Sequence, residues 1–354
     1  MRLRTVLATV TAGLAAATCL TAAGPANARA DSQDSHDSHG RLDSHACSSP
    51  VSIDRFSDAL DKTTYDGTFV GNFSALAMDR DGSLAAVSDR SALFGLDGET
   101  LAPKDVVPLA DESGAALDSE GLVVDRDGTR LISSETEPSV RRYSRDGRIL
   151  DRLPVPDELL VAPAGRAVSN GTFEGLTLLP GGRTLLASME YALNGDSAGI
   201  VRFQTWQRTR AAGGTFELGR QYAYRADTGL GVPEVQATPD GRLLVLERGF
   251  TSGVGNTVRL YLADPRRATD TSGIESLTGQ GDVRLIKKTL LADLVNCPSL
   301  GATAKQPQPN PLLDNIEGMA VTGYSKGRLK VLLVSDDNQN AVQTTRFYYL
   351  RVRV

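Results

Sequence analysis

The sequence FEGLTLLPGGRTLLASMEY, residues 173–191, contains two apolar runs separated by a Gly-Gly turn, with an acidic residue near each end. Four other segments repeat this plan: FSALAMDRDGSLAAVSDR from Phe73, SEGLVVDRDGTRLISSETE from Ser119, PEVQATPDGRLLVLERG from Pro233 and IEGMAVTGYSKGRLKVLLVSDDN from Ile316. The first of the five has Ser74 where the others have a glutamate. Internal repeats are read first because they determine the architecture.

Each repeat predicts an antiparallel hairpin. The flanking runs are rich in Val, Leu and Ile, and the turns hold residue pairs that adopt positive φ with little strain: Asp81-Gly82, Asp127-Gly128, Gly181-Gly182, Asp240-Gly241 and Lys326-Gly327. Two further strand-like runs follow each hairpin, as in SVRRYSRDG and RILDRLPV after the second repeat. Four-stranded units repeated along an all-β chain are typical of β-propeller blades.

We therefore expect an all-β propeller of five blades, and the alternative is a sixth, degenerate blade hidden in a long insertion. The last unit stops after its third strand, TTRFYYLRV, so a strand from residues 51–73 would complete it and close the ring. A β-sandwich is the main competing fold. It does not explain why an acid recurs at the same strand position.

The repeated acids predict a metal site. The two ends of a hairpin lie at one edge of a sheet, so each blade is expected to bring up to two acids to one rim of the central channel; the acids after the second strands are Asp89, Glu135, Glu190, Glu247 and Asp336. Converging carboxylates need a counter-charge, and Ca²⁺ with oxygen ligands supplies one. The predicted metal ligands are Glu120, Glu174, Glu234, Glu317 and Asp336. The alternative is that these acids only cap strands and pair with arginines.

Arginines border the same rim. Arg90 follows Asp89 and Arg248 follows Glu247, and we also expect Arg141, Arg142 and Lys305 in adjoining loops. Arginine binds phosphate through paired hydrogen bonds, and a metal beside it activates water. The predicted catalytic residues are Glu174, Glu317, Arg90 and Arg248. Each arginine taken singly also fits a solvated surface charge.

Missing residue types exclude other chemistry. The only histidines, His36, His39 and His45, lie in a polar segment before the repeats, so a Ser-His-Asp hydrolase and a His-ligated zinc site are excluded from the repeat region. The sequence also lacks a Gly-x-Ser-x-Gly elbow, a phosphate-cradling glycine loop and a dinucleotide fingerprint.

The N-terminal region predicts export. Residues 1–30 have a basic start, an apolar stretch and small-x-small cleavage sites, as in a signal peptide. Residues 31–46 predict a disordered linker, and residues 47–354 the propeller domain. Cys47 and Cys297 are then expected to form a disulfide, with two free thiols as the alternative.

Charge narrows the partners. Without the signal, 35 basic residues face 43 acidic ones, a formal net charge of −8. This disfavours nucleic acid and anionic membranes as partners. We expect a secreted, water-soluble monomer without a membrane span that acts on a small-molecule substrate.

Several motifs resemble the phytase-like family known as "esterase-like activity of phytase", whose members are secreted bacterial β-propellers. They are Glu120-Gly121-Leu122, Glu174-Gly175-Leu176, the run 314–319 (DNIEGM) and the run 333–338 (LVSDDN), and the resemblance covers roughly residues 65–352. It implies a propeller, calcium dependence and hydrolysis of phosphate or other esters. The hypothesis is a calcium-assisted phosphoric ester hydrolase. The alternatives are a non-catalytic propeller that binds a ligand or partner, and a metal-dependent lactonase or carboxylesterase on the same scaffold.

Overall fold

The computed structural model describes residues 45–354, and this part of the chain is almost entirely β-structure. Helix is confined there to three short 3-10 turns, Asp157–Leu159, Pro265–Arg267 and Leu294–Asn296. None of the helices in this range has the length and apolar content needed to cross a membrane. The predicted signal peptide and residues 31–44 of the predicted linker lie outside the described residues.

The last two linker residues contact the first strand. Ile53 donates its N–H to the carbonyl of His45, and Ala46 forms an isolated bridge with Ser52. His45, the only histidine in the described range, therefore sits beside the first strand.

Five four-stranded sheets and one small hairpin make up the fold. The chain begins with β1 (Val51–Ser57) and the hairpin of β2 (Thr63–Tyr65) and β3 (Thr68–Val70). The first sheet contains β4 (Phe73–Met78), β5 (Leu84–Ser88), β6 (Ala92–Leu96) and β7 (Pro103–Pro108), and the second β8 (Ser119–Val124), β9 (Arg130–Ser134), β10 (Ser139–Tyr143) and β11 (Ile149–Arg152). The third contains β12 (Phe173–Leu178), β13 (Thr184–Met189), β14 (Ile200–Gln207) and β15 (Glu217–Arg225), and the fourth β16 (Gly231–Ala237), β17 (Leu243–Thr251), β18 (Gly255–Asp264) and β19 (Lys287–Asp293). The fifth contains β20 (Ile316–Ser325), β21 (Arg328–Ser335), β22 (Phe347–Val352) and β1.

The five sheets are the blades of a propeller, so the predicted fold class and number of blades are confirmed. The first strands of the blades, β4, β8, β12, β16 and β20, contact one another in sequence, and β20 also contacts β4. Every blade runs antiparallel from this inner strand outward. In the fifth blade the outermost strand is β1, which pairs with β22 from Val51 opposite Val352 to Ser57 opposite Phe347.

Apolar contacts between neighbouring blades hold the ring. At the seam between the fifth and first blades, the Phe73 ring packs against Phe347 of the fifth blade and against Phe94 of its own blade, with centroids 6.0 and 5.5 Å away. All three side chains are fully buried. Burial of an aromatic side chain contributes about 1.5–3 kcal/mol, so these seams stabilise the ring closure.

A disulfide joins the start of the described chain to the fourth blade. Cys47 precedes β1, and its partner Cys297 follows the turn after β19. The predicted pairing is present. The hydroxyl of Ser48 donates to the carbonyl of Leu291 beside it, at 2.6 Å. The outer edges of the fourth and fifth blades are therefore linked covalently.

The glycine turns have the predicted conformation. Gly82, Gly128 and Gly241 adopt φ of 85°, 85° and 84°, in the left-handed region that favours glycine. Each donates its N–H to the carbonyl three residues earlier, as Gly82 does to Asp79 at 3.1 Å. These turns fix the hairpin register and therefore set which residues reach the opposite end of each blade.

Candidate functional site

An acidic cavity of about 400 Å³ lies where the inner strands begin. Its wall contains eight carboxyl groups and two guanidinium groups, together with a few neutral polar side chains. The acids are Asp89, Asp118, Glu120, Glu135, Glu174, Glu190, Glu317 and Asp336, the bases are Arg90 and Arg248, and the neutral residues are Ser74, Asn170, Tyr191 and Asn338.

Inner-strand bulges help place the first set of acids. The pairing of every inner strand with its neighbour shifts register at this level, as between Phe173 and Leu176 in the third blade. A bulge re-aims a side chain locally, which is why bulges are common beside functional sites. Glu120, Glu174 and Glu317 all lie within or beside such a shift and line the cavity.

The glycine of the Glu-Gly-Leu motif allows the inner strands to approach closely. A Cβ atom on Gly121 would lie 2.4 Å from the carbonyl oxygen of Glu174, and one on Gly175 would lie 2.5 Å from the nitrogen of Val235. Both clashes are with backbone atoms. The glycines therefore let neighbouring inner strands approach closely, which brings the carboxyl groups of those strands nearer to one another.

The second set of acids is held by the backbone. Each acid directly after a second strand donates its N–H to a carbonyl at the start of its own blade. The pairs are Asp89 with Asn72, Glu135 with Asp118, Glu190 with Thr172 and Asp336 with Asn315, at 2.7–3.0 Å. The hairpin geometry that the repeats predicted therefore brings both ends of four blades to one rim.

The fourth blade departs from the plan by one residue. In the first three blades, Ser74, Glu120 and Glu174 lie eight positions before the glycine that ends the turn, and in the fourth blade this position holds Pro233. The matching position after the second strand holds Arg248, which pairs with Gly231 across the ladder. Because successive residues of a strand face opposite ways, the shift moves Glu234 and Glu247 off the cavity wall.

Glu234 and Glu247 each have other partners. Glu234 is fully buried, and its Oε1 accepts from the N–H groups of Val235 and Leu176. Glu247 accepts from Tyr224 and Lys288, both at 2.6 Å, on the other face of its blade. The predicted metal ligand Glu234 is therefore absent from the cavity wall, where the fourth blade supplies Arg248.

The two rim arginines have different surroundings. Arg248 lies among the acids, with its Nη2 2.9 Å from Oε1 of Glu317 and 3.4 Å from Oε1 of Glu190. The Arg90 side chain is 61% exposed, and its closest ion pair is with Asp89 at 3.5 Å. Arg248 therefore neutralises part of the cluster, and Arg90 is free to reorient toward a ligand.

Burial and mutual repulsion favour protonation of the acids. Burial is the largest cause of each shift: it raises the pKa of Glu190 to about 7, and the same occurs for Glu317 and Asp89. The pKa values of Glu120 and Glu174 lie well above the ordinary range, because burial is reinforced by their neighbouring carboxylates. Eight carboxyl groups against two arginines leave a strongly anionic cavity unless protons or cations compensate.

Two carboxyl triplets have the spacing of a cation site. Asp118, Glu120 and Glu135 form one and Glu135, Glu174 and Glu190 the other, and within each triplet one oxygen per residue lies within 4.8 Å of the others. The donors are all oxygens, which suits a hard cation such as Ca²⁺. The buried Ser74 hydroxyl also lies on this wall.

The predicted ligands are only partly gathered in these triplets. Glu120 and Glu174 belong to them. Glu317 instead bonds with Arg248 and with the Asn315 amide at 2.9 Å, and Asp336 accepts from the N–H of Asn338 at 2.7 Å. Both still line the cavity, as do Arg90 and Arg248.

Sequence reasoning missed three wall residues, Asp118, Asn170 and Tyr191, whereas Asn338 belongs to the run 333–338 quoted above. Asp118 and Tyr191 sit directly beside recognised motif residues in the sequence, which is the one signal that pointed to them. Arg141, Arg142 and Lys305 are not on the wall: the first two lie in β10, and Lys305 pairs with Asp61. Arg141 forms an ion pair with Glu112 and Arg142 forms one with Asp125, so neither guanidinium group is directed to the cavity.

Part of this chain is similar in sequence to a known protein. A curated relative from Arthroderma benhamiae, named "Uncharacterized secreted protein", is 30% identical, and the match covers 26% of this chain and 23% of the relative. The chain thus spans about a quarter of that relative's length.

Solved structures are similar at low identity. They include the glutaminyl cyclase of Myxococcus xanthus (13% identity, TM-score 0.44, covering 86% of this chain and 97% of that one). A PQQ-bound aldose sugar dehydrogenase from Streptomyces coelicolor has 12% identity and TM-score 0.40, covering 86% and 98%. Identities this low say nothing about the activity of this chain.

The family model for "Esterase-like activity of phytase" matches residues 68–339, which include all the inner strands and every acid of the cavity wall. The chain therefore belongs to the phytase-like family.

Proposed function

We propose that this protein is a secreted hydrolase that acts on phosphate esters with the assistance of Ca²⁺ at the acidic cavity. The observation that carries the proposal is the composition of one wall: eight carboxyl groups and two arginines around about 400 Å³. Such a wall attracts a divalent cation, and the arginines add donors for an anionic substrate.

The cation would be held by Asp118, Glu120, Glu135, Glu174 and Glu190, the members of the two triplets. Bound there, Ca²⁺ would supply positive charge that polarises the substrate and lowers the pKa of water. Glu174 and Glu317 are the proposed catalytic carboxylates. They would orient the attacking water, and Glu317 would take up its proton as the P–O bond to the substrate's alcohol breaks and would then pass that proton to the departing alkoxide. With a pKa of about 7, Glu317 exchanges a proton readily near neutral pH.

The arginines would bind the phosphate group. Arg90 is exposed enough to turn toward a substrate. Arg248 is fixed by Glu190 and Glu317, so it would present its remaining N–H groups to the ligand; its buried Nε has no hydrogen-bond partner among residues 45–354. A carboxylic ester or lactone has less need of these donors than a phosphate, which favours the phosphate reading.

A binding propeller without catalysis is the second candidate. It is favoured by the same contacts of Arg248, because a guanidinium already held by two carboxylates is a good structural counter-ion. Secretion is part of the proposal too, supported by the Cys47–Cys297 disulfide and by the printed name of the Arthroderma relative.

The test is release of phosphate from a panel of phosphate monoesters, including inositol phosphates, by mature protein with calcium or with a chelator. We expect calcium-dependent release that is lost in the Glu174→Gln, Glu317→Gln double variant. Glu217→Gln, at an exposed carboxylate on the outer strand β15, is the matched control and should retain activity. Arg248→Gln should lose phosphatase activity more than any activity on carboxylic esters.

Absence of turnover on every ester, in a folded protein that binds calcium, would overturn the hydrolase proposal and leave the binding propeller. Equal turnover with calcium and with chelator would show that the hydrolysis does not need the cation.

A further inference from the structure

A second cavity, of about 460 Å³, adjoins the acidic one and differs from it in chemistry. The two share Asn170, Arg248, Glu317 and Asn338 on their common wall. Beyond this wall the second cavity has no further charged lining residue among those described, and side-chain amides dominate. We call it the amide cavity, defined by Asn256, Gln306, Asn315, Asn338, Asn340 and Gln343.

The amides come from separate parts of the chain that meet around a compact space. Asn256 lies on β18, Gln306 on the loop that precedes the fifth blade, and Asn338, Asn340 and Gln343 between β21 and β22. A side-chain amide both donates and accepts hydrogen bonds and carries no charge. A ring of them therefore matches a neutral ligand whose groups also donate and accept, and hydroxyl groups do both.

Asn256 supplies an observation that points to a ligand. Its side chain is part of this cavity's wall and is only 1% exposed, yet neither Nδ2 nor Oδ1 has a hydrogen-bond partner within residues 45–354. Leaving such a buried group unpaired costs about 1–3 kcal/mol. The backbone N–H of Asn256 donates to Oε1 of Gln308 at 2.8 Å, so Gln308 pairs with the backbone and not with the side-chain amide.

An aromatic ring stands beside this amide. Most second strands end before the rim acid, but β17 continues past Arg248 to Thr251. In this extension Phe250 pairs directly with Asn256 across the hairpin, so both side chains project from the same face. The Phe250 ring is 55% exposed. Its flat apolar surface is suited to the C–H face of a sugar ring, whose hydroxyls would reach the amides.

We propose that the amide cavity binds a neutral pyranose group. The volume is within the range of about 300–1,000 Å³ usual for small-molecule sites. The amides come from β18 and from two loops and do not follow one strand edge, which fits a ring better than an extended peptide. If the sugar is part of the substrate, it carries the ester that enters the acidic cavity, and this part of the proposal rests on the proposed hydrolase function. Binding of the sugar by itself does not depend on that function.

Saturation-transfer NMR with the methyl pyranosides of glucose, galactose and mannose tests this directly. These probes carry no phosphate and need no turnover, so their binding is independent of the proposed hydrolysis. We expect saturation transfer to at least one probe, with affinity at least about 10-fold weaker in Phe250→Ala and in Gln306→Ala. Gln306 is only partly buried, so its truncation should leave the fold intact.

Tyr324→Ala is the matched control. Tyr324 is 67% exposed, near the turn between β20 and β21 at the far end of the fifth blade from Glu317, and its loss should not change sugar binding. Lack of transfer to all three probes would overturn the proposal, as would equal binding by wild type and Phe250→Ala. Stronger transfer to a triglycine amide than to any pyranoside would replace the sugar with a peptide. Sugar binding without esterase activity would refute only the hydrolase proposal.

Discussion

In the third blade the inner strand presents Glu174 to the cavity and the second strand is followed by Glu190, whereas in the fourth blade the equivalent positions hold Pro233 and Arg248. The two blades have the same strand order, and in each the turn glycine donates its N–H to the carbonyl three residues earlier. They differ in the side chains that the register brings to the rim. The site is thus asymmetric: four blades supply acids, whereas the fourth blade supplies only the positive charge of Arg248.

This difference also changes the channel below the rim. The position after Glu174 is Gly175, and its counterpart after Pro233 is Glu234. The carboxyl group of Glu234 is buried and accepts hydrogen bonds from backbone N–H groups of β12 and β16. The third blade therefore has a glycine, without a side chain, at the position where the fourth blade has the buried side chain of Glu234. The two are complementary because a Cβ atom on Gly175 would meet the backbone of Glu234.

The largest expected effect is that of Gly175→Ala. The new Cβ would lie 2.5 Å from the nitrogen of Val235 and 2.8 Å from Cα of Glu234, and backbone atoms cannot yield as a flexible side chain does. We expect the free energy of unfolding to fall by about 3 kcal/mol, measured by denaturant titration. Gly273→Ala, at a glycine with open space around it, is the control and should change it little. Equal stability of the two variants would contradict the close approach of the inner strands.

How far the sequence could lead is visible in these same residues. Turn glycines, alternating apolar runs and recurring acids predicted the blades and the rim because each depends on local hairpin geometry. The fourth blade was misaligned by one residue, since Glu234 and Glu247 were matched by residue type. Counting eight residues back and seven residues forward from Gly241 selects Pro233 and Arg248. These two are 15 residues apart, as are Ser74 and Asp89 in the first blade and Glu120 and Glu135 in the second.

Other parts of the site had no such local signal. The meeting of Glu135 of the second blade with Glu174 and Glu190 of the third depends on packing between blades, which no single repeat encodes. The amide cavity depends on three segments far apart in the chain and on the extra length of β17. Its amides are ordinary loop residues until the fold brings them together.

The second prediction concerns protons. Glu190 of the third blade faces the cavity with a pKa of about 7, whereas Glu247 of the fourth is bound by Lys288. An unfolded glutamate has a pKa of about 4.3, so between these values the folded state binds more protons than the unfolded one. The stability that Glu190 contributes without calcium is then fully present below about pH 4.3 and is lost as pH rises through about 7.

Thermal unfolding of chelated protein at about pH 5 and about pH 8 measures this loss, and we expect the lower Tm at the higher pH. Calcium should restore the Tm at about pH 8, because the cation replaces the protons as counter-charge. A Tm of the chelated protein that is the same at both values would show that the cluster is already neutralised by its own arginines.

The smallest expected effect is that of Glu234→Gln, compared with Glu174→Gln. Burial raises the pKa of Glu234 well above its usual range and so favours the neutral carboxyl group, for which glutamine is a close substitute. We expect calcium affinity, measured by calorimetry, to change less than about 2-fold, while Glu174→Gln lowers it at least about 10-fold by removing a triplet oxygen. Equal losses in both variants would mean that Glu234 turns to the cavity when the cation binds. The one-residue offset of the fourth blade would then be a property of the metal-free conformation, and the fourth blade would join the second and third at the cation site.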